Sequence, residues 1–210
     1  MKYWILIAAL MLGGCQSAYY AAAEQVGYHK REILTDRVES AQESQQEAQQ
    51  QFSSALEQLQ TLVDFDGGDL EDVYDTVRDE YQASEKAAND VRDRIDSIDD
   101  VAEAMFDEWQ QELEQYQSAK LRRDSEKRLS ATKRQYASML KSMRRAEQKM
   151  EPVLARLKDN ELYLKHNLNA NAVNAIGSEF SDLKGEVQSL ITEMNKAIAE
   201  SDQFIKTLGQ

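Results

Sequence analysis

Apolar residues return at alternating intervals of four and three along almost all of this chain, and that spacing restricts it to long helices packed side by side. Leu34, Val38, Ala41, Gln45, Ala48, Phe52, Ala55, Leu59 and Leu62 form a first register. A second runs from Leu70 through Tyr74, Val77, Tyr81, Ser84, Ala88, Val91, Ile95, Ile98, Ala102, Met105, Trp109 and Glu112 to Tyr116. A third joins Leu129, Thr132, Tyr136, Met139, Met143, Ala146, Met150, Val153, Leu157, Asn160 and Leu164, and a fourth runs from Val173 to Leu208. Such steps gather side chains on one stripe of a helix, the seam by which coiled-coil helices pack. Ile191, Ile198 and Ile205 add a second stripe to the last segment, which implies contact with more than one neighbour. With one proline and eight glycines in 210 residues there is little to break a helix. The fold class is all-α.

The interruptions decide how the helices are arranged. Asp64-Phe65-Asp66-Gly67-Gly68-Asp69 separates the first two registers: glycine can close a helix in the left-handed conformation, and Asp69 can cap the next, with Asp72 at its third position. Asn167–Asn174 holds four asparagines and reads as a loop. Pro152 is expected to kink the third register. Between Gln117 and Arg128 the second and third registers fall out of phase, yet no Gly, Pro or Asn marks a turn. A stutter there would make one very long central helix shared by two end-to-end hairpins; a turn would make an up-down four-helix bundle of long antiparallel coiled-coil helices. Charge favours the bundle. Residues 64–118 carry 19 acidic and 4 basic side chains, and residues 119–149 carry 11 basic and 3 acidic. A turn near 117–124 would lay Arg122, Arg123, Lys127 and Arg128 along a strip holding Asp99, Asp100, Asp107, Glu108, Glu112 and Glu114.

The N-terminus has a different character. Met1-Lys2 precedes an apolar run, Tyr3 to Leu12, that is too short to span a bilayer as a helix, which takes roughly 20 residues. It has the length of a signal-peptide core. It ends in Leu12-Gly13-Gly14-Cys15, which resembles the lipobox of bacterial lipoproteins. The resemblance implies cleavage after Gly14 and acylation of Cys15, whose thiol takes a diacylglyceryl chain while the new amino group takes a further acyl chain such as palmitate. Two or more chains hold a protein stably in a bilayer where one does not. Gln16, in place of Asp, implies delivery to the outer membrane, on its periplasmic side. The chain then divides into a signal peptide (1–14), a lipidated N-terminus and tether (15–23), and a single helical domain (24–210).

Chemistry is sparse. The formal charge of −13 sets the chain as a whole against nucleic acid and anionic head groups. Its single cysteine excludes an internal disulfide and a cysteine-based zinc site. There is no phosphate-binding G-x-x-x-x-G-K-[ST] loop. His29 and His166 stand outside the Glu-x-x-His pairs of di-iron bundles and read as surface histidines. Asp64, Asp66 and Asp69 fail as a calcium loop: counted from Asp64, the position that requires Gly is Asp69 and the one that requires Glu is Asp75. Phe52, Tyr74, Tyr81, Trp109, Tyr136, Met139, Met143 and Met150 all fall on the seams and read as core. No catalytic residue, cofactor or metal site is expected.

Three strings, Phe65-Asp66-Gly67-Gly68-Asp69-Leu70-Glu71-Asp72, Ala146 to Leu154 and Leu164 to Ala170, together with the lipobox, resemble an uncharacterised family of coiled-coil envelope lipoproteins of Gram-negative bacteria. The family's domain has no assigned function, so the resemblance transfers no active residue. The expectation is a non-enzymatic scaffold or adaptor held to membrane lipid through acylated Cys15, with an unknown protein partner or a second copy of itself. Two alternatives remain: a self-assembling coiled coil that protects or remodels the envelope, and a cell-wall-binding protein or hydrolase.

Overall fold

A computed structural model describes residues 29–64, 67 and 70–209. Leu12, Gly13, Gly14, Cys15 and the 15–23 tether lie outside the described residues, as do Asp66, Gly68 and Asp69 of the first connection. Among these residues four helices follow in order: α1 (Lys30–Val63), α2 (Leu70–Glu112), α3 (Ala119–His166) and α4 (Ala170–Leu208), with a 3-10 turn, Leu113–Gln115, after α2. Consecutive helices pack against each other and α4 closes the ring against α1. This is the up-down four-helix bundle; two end-to-end hairpins would leave α1 and α4 apart. At about 1.5 Å per residue, α3 alone is roughly 70 Å long.

The registers become the core. Every first-register residue from Leu34 to Leu62 is buried, as is every third-register residue from Met139 to Leu157. The fourth register is buried throughout apart from half-buried Phe180; Ile191 and Ile205 pack beside it, half-buried, and Ile198 is half-buried as well. The second register ends early. Glu112 and Tyr116 are exposed, because the 3-10 turn tightens the last winding and puts Leu113 inside instead.

The turn between α2 and α3 needs no glycine. Tyr116 adopts extended backbone, and Ser118 opens α3 as its N-cap, its hydroxyl accepting a hydrogen bond from the Leu121 N–H. Between α3 and α4 the loop is shorter than the run of asparagines suggests. Asn167 closes α3, and Asn169 caps α4 by accepting from the N–H groups of Asn171 and Ala172. Asn171 and Asn174 are therefore helical, which corrects the expectation of a loop up to Asn174. Between α1 and α2, Gly67 has φ +144°, a conformation that side chains with a Cβ rarely adopt. The helix α3 continues through Pro152, which sits on its exposed face.

Candidate functional site at the ends and seams of the bundle

The up-down topology sorts the polar chemistry into seams between neighbouring helices and two end surfaces. The acidic α2 does lie along the basic α3, but the residues that join them are not those that bulk charge points to. Arg144 of α3 bridges Asp96 at 2.5 Å and Asp99 at 3.4 Å on α2, and holds Glu147 of its own helix at 3.0 Å. Arg92, one of the few bases of α2, pairs in the opposite sense with Glu147 at 3.0 Å. Signs thus alternate across the seam, an arrangement that this antiparallel register satisfies. Burial works against the Arg144 charge, but its hydrogen bonds to Asp96 and Glu147 outweigh that and push its pKa above the ordinary arginine value. Tyr136 extends the seam inward. Its hydroxyl donates to Asp99, and burial first, then that bond, raises its pKa well above the tyrosine range.

Of the four bases expected to face the acidic strip, Arg122 pairs with Glu126 on its own helix at 3.0 Å. Arg123, Lys127 and Arg128 make no salt bridge among the described residues, and Glu108 pairs with Lys30 of α1 at 3.1 Å. The physical reason is height along the rod. Beside α3's first two turns α2 is ending in its 3-10 turn, and Arg123, Lys127 and Arg128 all stand on the exposed side of α3, opposite buried Ser125 and Leu129. A charge-reversal pair tests the correction. Arg144→Glu should lower stability by roughly 2 kcal/mol at low ionic strength, more than an exposed pair and less than a fully buried one, with part restored by salt. Arg123→Glu should leave the melting temperature within about 1–2 °C. Equal losses in both variants would show that charge acts diffusely and not through the seam.

The other seams are polar and local. Between α1 and α4, Gln42 donates to Asp202 at 2.8 Å and to the Ile198 carbonyl at 3.1 Å, and Gln49 donates to Asn195 at 3.2 Å. Between α3 and α4, Arg145 meets Glu193 at 2.8 Å and Arg156 meets Glu186 at 3.1 Å. Between α1 and α2, Glu80 accepts from Gln51 at 2.6 Å and from Ser54 at 3.0 Å.

Among the described residues, three surface clefts lie near the ends. One of about 400 Å³ lies where α1 begins, between His29, Lys30 and Arg31 and the last turns of α2 at Met105, Glu108, Trp109 and Glu112. The Trp109 indole donates to the Ser125 hydroxyl at 2.8 Å, tying α2 to α3 at its edge. A second, of about 450 Å³, lies across the α2–α3 hairpin at Leu113, Leu129 and Lys133. The third, of about 350 Å³, is at the opposite end, between Asn160, Tyr163 and Ile176. His29 precedes α1 and His166 ends α3, so the two histidines stand at opposite ends of the rod, both exposed. No group of three or more His, Cys, Asp or Glu able to hold a metal ion occurs among the described residues. None of the described helices is long and apolar enough to cross a membrane.

Among the described residues, the large apolar side chains that remain exposed, Tyr116, Leu121, Leu162, Tyr163 and Leu168, are all at the two ends of the rod. Sequence reasoning missed this. Tyr116 counts as a seam position by spacing alone, and nothing in the spacing of Leu162 or Leu168 separates an uncovered end from a covered flank.

Residues 19–208 match the family described as "Protein of unknown function (DUF2959)". Neither a curated protein nor a solved structure matches the chain.

Proposed function

The chain belongs to this family of unknown function, and from that premise we propose that it is a non-enzymatic, lipid-anchored helical spacer or adaptor on the periplasmic side of the outer membrane. The observation that carries the reading is the polarity of the rod. The helix α1 starts at one end, so the segment leading back to Cys15 enters there. Leu162, Tyr163 and Leu168 are exposed at the other end, roughly 50 Å away, the length of the 34-residue α1. A bundle built this way holds an apolar contact surface at a fixed distance from its anchor. The lipobox Leu12-Gly13-Gly14-Cys15 supports the anchor, and Gln16 the choice of membrane.

Two measurements test the reading separately. Cys15→Ser removes the thiol that takes the diacylglyceryl chain. Radiolabelled palmitate should mark the wild-type chain, and the variant should accumulate as unprocessed, unlabelled precursor. Equal labelling of both refutes the anchor. A photo-crosslinking amino acid at position 163 should capture one envelope protein in intact cells, whereas the same probe at exposed Gln148, midway along α3, should not. Capture of a second copy of this chain alone would make the protein a self-assembling one and not an adaptor.

A further inference from the structure

We infer that the α2–α3 turn is a membrane-docking tip, which seats the tether end of the rod on anionic phospholipid head groups. The inference rests on the lipid-anchored reading above and adds an orientation to it.

Residues 114–124 are exposed without interruption, between buried Leu113 and buried Ser125. Ser138 with Glu200, Lys149 with Ser189 and Arg145 with Glu193 hold α3 and α4 in one antiparallel register, which brings Leu208 at the end of α4 level with Ser130. The first eleven residues of α3 therefore run past the end of α4, by about 16 Å at 1.5 Å per residue. The overhanging hairpin carries Tyr116 at 42% and Leu121 at 56% exposure. Around them stand Lys120, Arg122, Arg123, Lys127 and Arg128, with Glu114, Asp124 and Glu126 as the opposing acids of the hairpin and Glu108 and Glu112 on the adjoining last turns of α2, where Lys30 holds Glu108. Only Arg122 is engaged, with Glu126; the other four bases make no salt bridge among the described residues.

A tyrosine and a leucine among bases with long aliphatic stems match the composition that settles at a lipid interface, where rings and chains sink among the head groups and cations meet phosphate. Two further facts give the orientation. The tip is at the same end as Lys30, and Cys15 lies only a short tether before it in sequence. At the far end stand Asp64, Glu71, Asp72 and Asp75, in a chain of formal charge −13. An anionic surface attracts the first end and repels the second.

The test uses the mature lipoprotein in phosphatidylethanolamine–phosphatidylglycerol vesicles that contain spin-labelled lipid. Cys15 is the only cysteine, and acylation consumes its thiol, so Leu121→Cys and Leu168→Cys each offer a single free thiol for a polarity-sensitive fluorophore. Both positions are exposed, so neither substitution disturbs the core. At position 121 the emission should shift to the blue and be roughly halved by the spin label, as for a group lying about 5–10 Å into the interface. At position 168 neither change should occur. Adding Lys120→Glu, Arg122→Glu and Arg123→Glu, or omitting phosphatidylglycerol, should weaken the quenching at 121. A wild-type chain whose Cys15 reacts with the fluorophore refutes the anchor, and the tip with it. A blocked Cys15 with no quenching at 121 leaves the anchor standing and overturns the tip, freeing that surface for a protein partner. Equal quenching at 121 and 168 also overturns it, because the rod then lies flat.

Discussion

Phe204→Ala should destabilise the fold by about 3–5 kcal/mol and lower the melting temperature by roughly 10 °C for a domain of this size. Phe204 is fully buried near the end of α4. Its ring lies 5.9 Å from Tyr136 of α3, and Tyr136 in turn meets Phe106 of α2 edge-on at 5.4 Å. The Tyr136 hydroxyl points the other way, to Asp99, which also receives Arg144. One aromatic stack thus links the core of three helices to the charged seam. Truncating Phe204 opens a void that a backbone fixed on both sides cannot close, so a cavity cost adds to the lost burial. Phe204→Leu keeps most of the volume and should cost less than half as much. Thermal unfolding followed by far-ultraviolet circular dichroism distinguishes the two variants. A loss under about 1 kcal/mol for the alanine variant would mean a core loose enough to collapse around the gap.

Position 204 was legible in the sequence as a core position, because the spacing of Met194, Ala197, Ser201, Phe204 and Leu208 gives it directly. Its partners were not. Heptad spacing states which face of a helix is buried and is silent about which helix covers it. Charge supplied the neighbour of α2 correctly and the contacts incorrectly. Net charge averages over a segment, whereas the seam depends on the minority signs, Arg92 on the acidic helix and Glu147 on the basic one. The α2–α3 turn shows the same limit. Its signal was the phase change together with Ser118, an ordinary N-cap residue hard to tell from a surface serine inside a helix. The asparagine run misled for the converse reason. Asn169 caps α4, while Asn171 and Asn174 sit on its exposed side, where helix propensity is a weak constraint. The end surfaces were the least legible of all, because exposure at an end depends on where neighbouring helices stop. The one residue to which the sequence assigns covalent chemistry, Cys15, lies outside the described part of the chain.

Gln45→Met should raise stability by about 2–3 kcal/mol, from loss of an unsatisfied buried amide and gain of apolar burial. That corresponds to roughly 5–10 °C in melting temperature. Gln45 occupies a seam position of α1 and is fully buried, and neither atom of its amide has a hydrogen-bond partner. Gln42 and Gln49, one turn to either side, find partners on α4 because they stand at the edge of the seam. Two buried serines stand near this height, but the Ser201 hydroxyl of α4 donates to the Ala197 carbonyl of its own helix and the Ser84 hydroxyl of α2 has no hydrogen-bond partner, so neither satisfies the amide. Methionine has the same unbranched length and needs no partner, so the exchange removes a cost without opening a void. A single polar residue on an otherwise apolar seam can also penalise other registers and other numbers of chains. If Gln45 has that role, the stabilised variant should acquire dimers or larger species in sedimentation equilibrium where the wild type does not. A variant that is more stable and unchanged in mass would make Gln45 a pure cost to the fold. A variant that is less stable would mean that the amide is hydrogen-bonded in solution, and that a polar group at this height helps to hold α1 against α4.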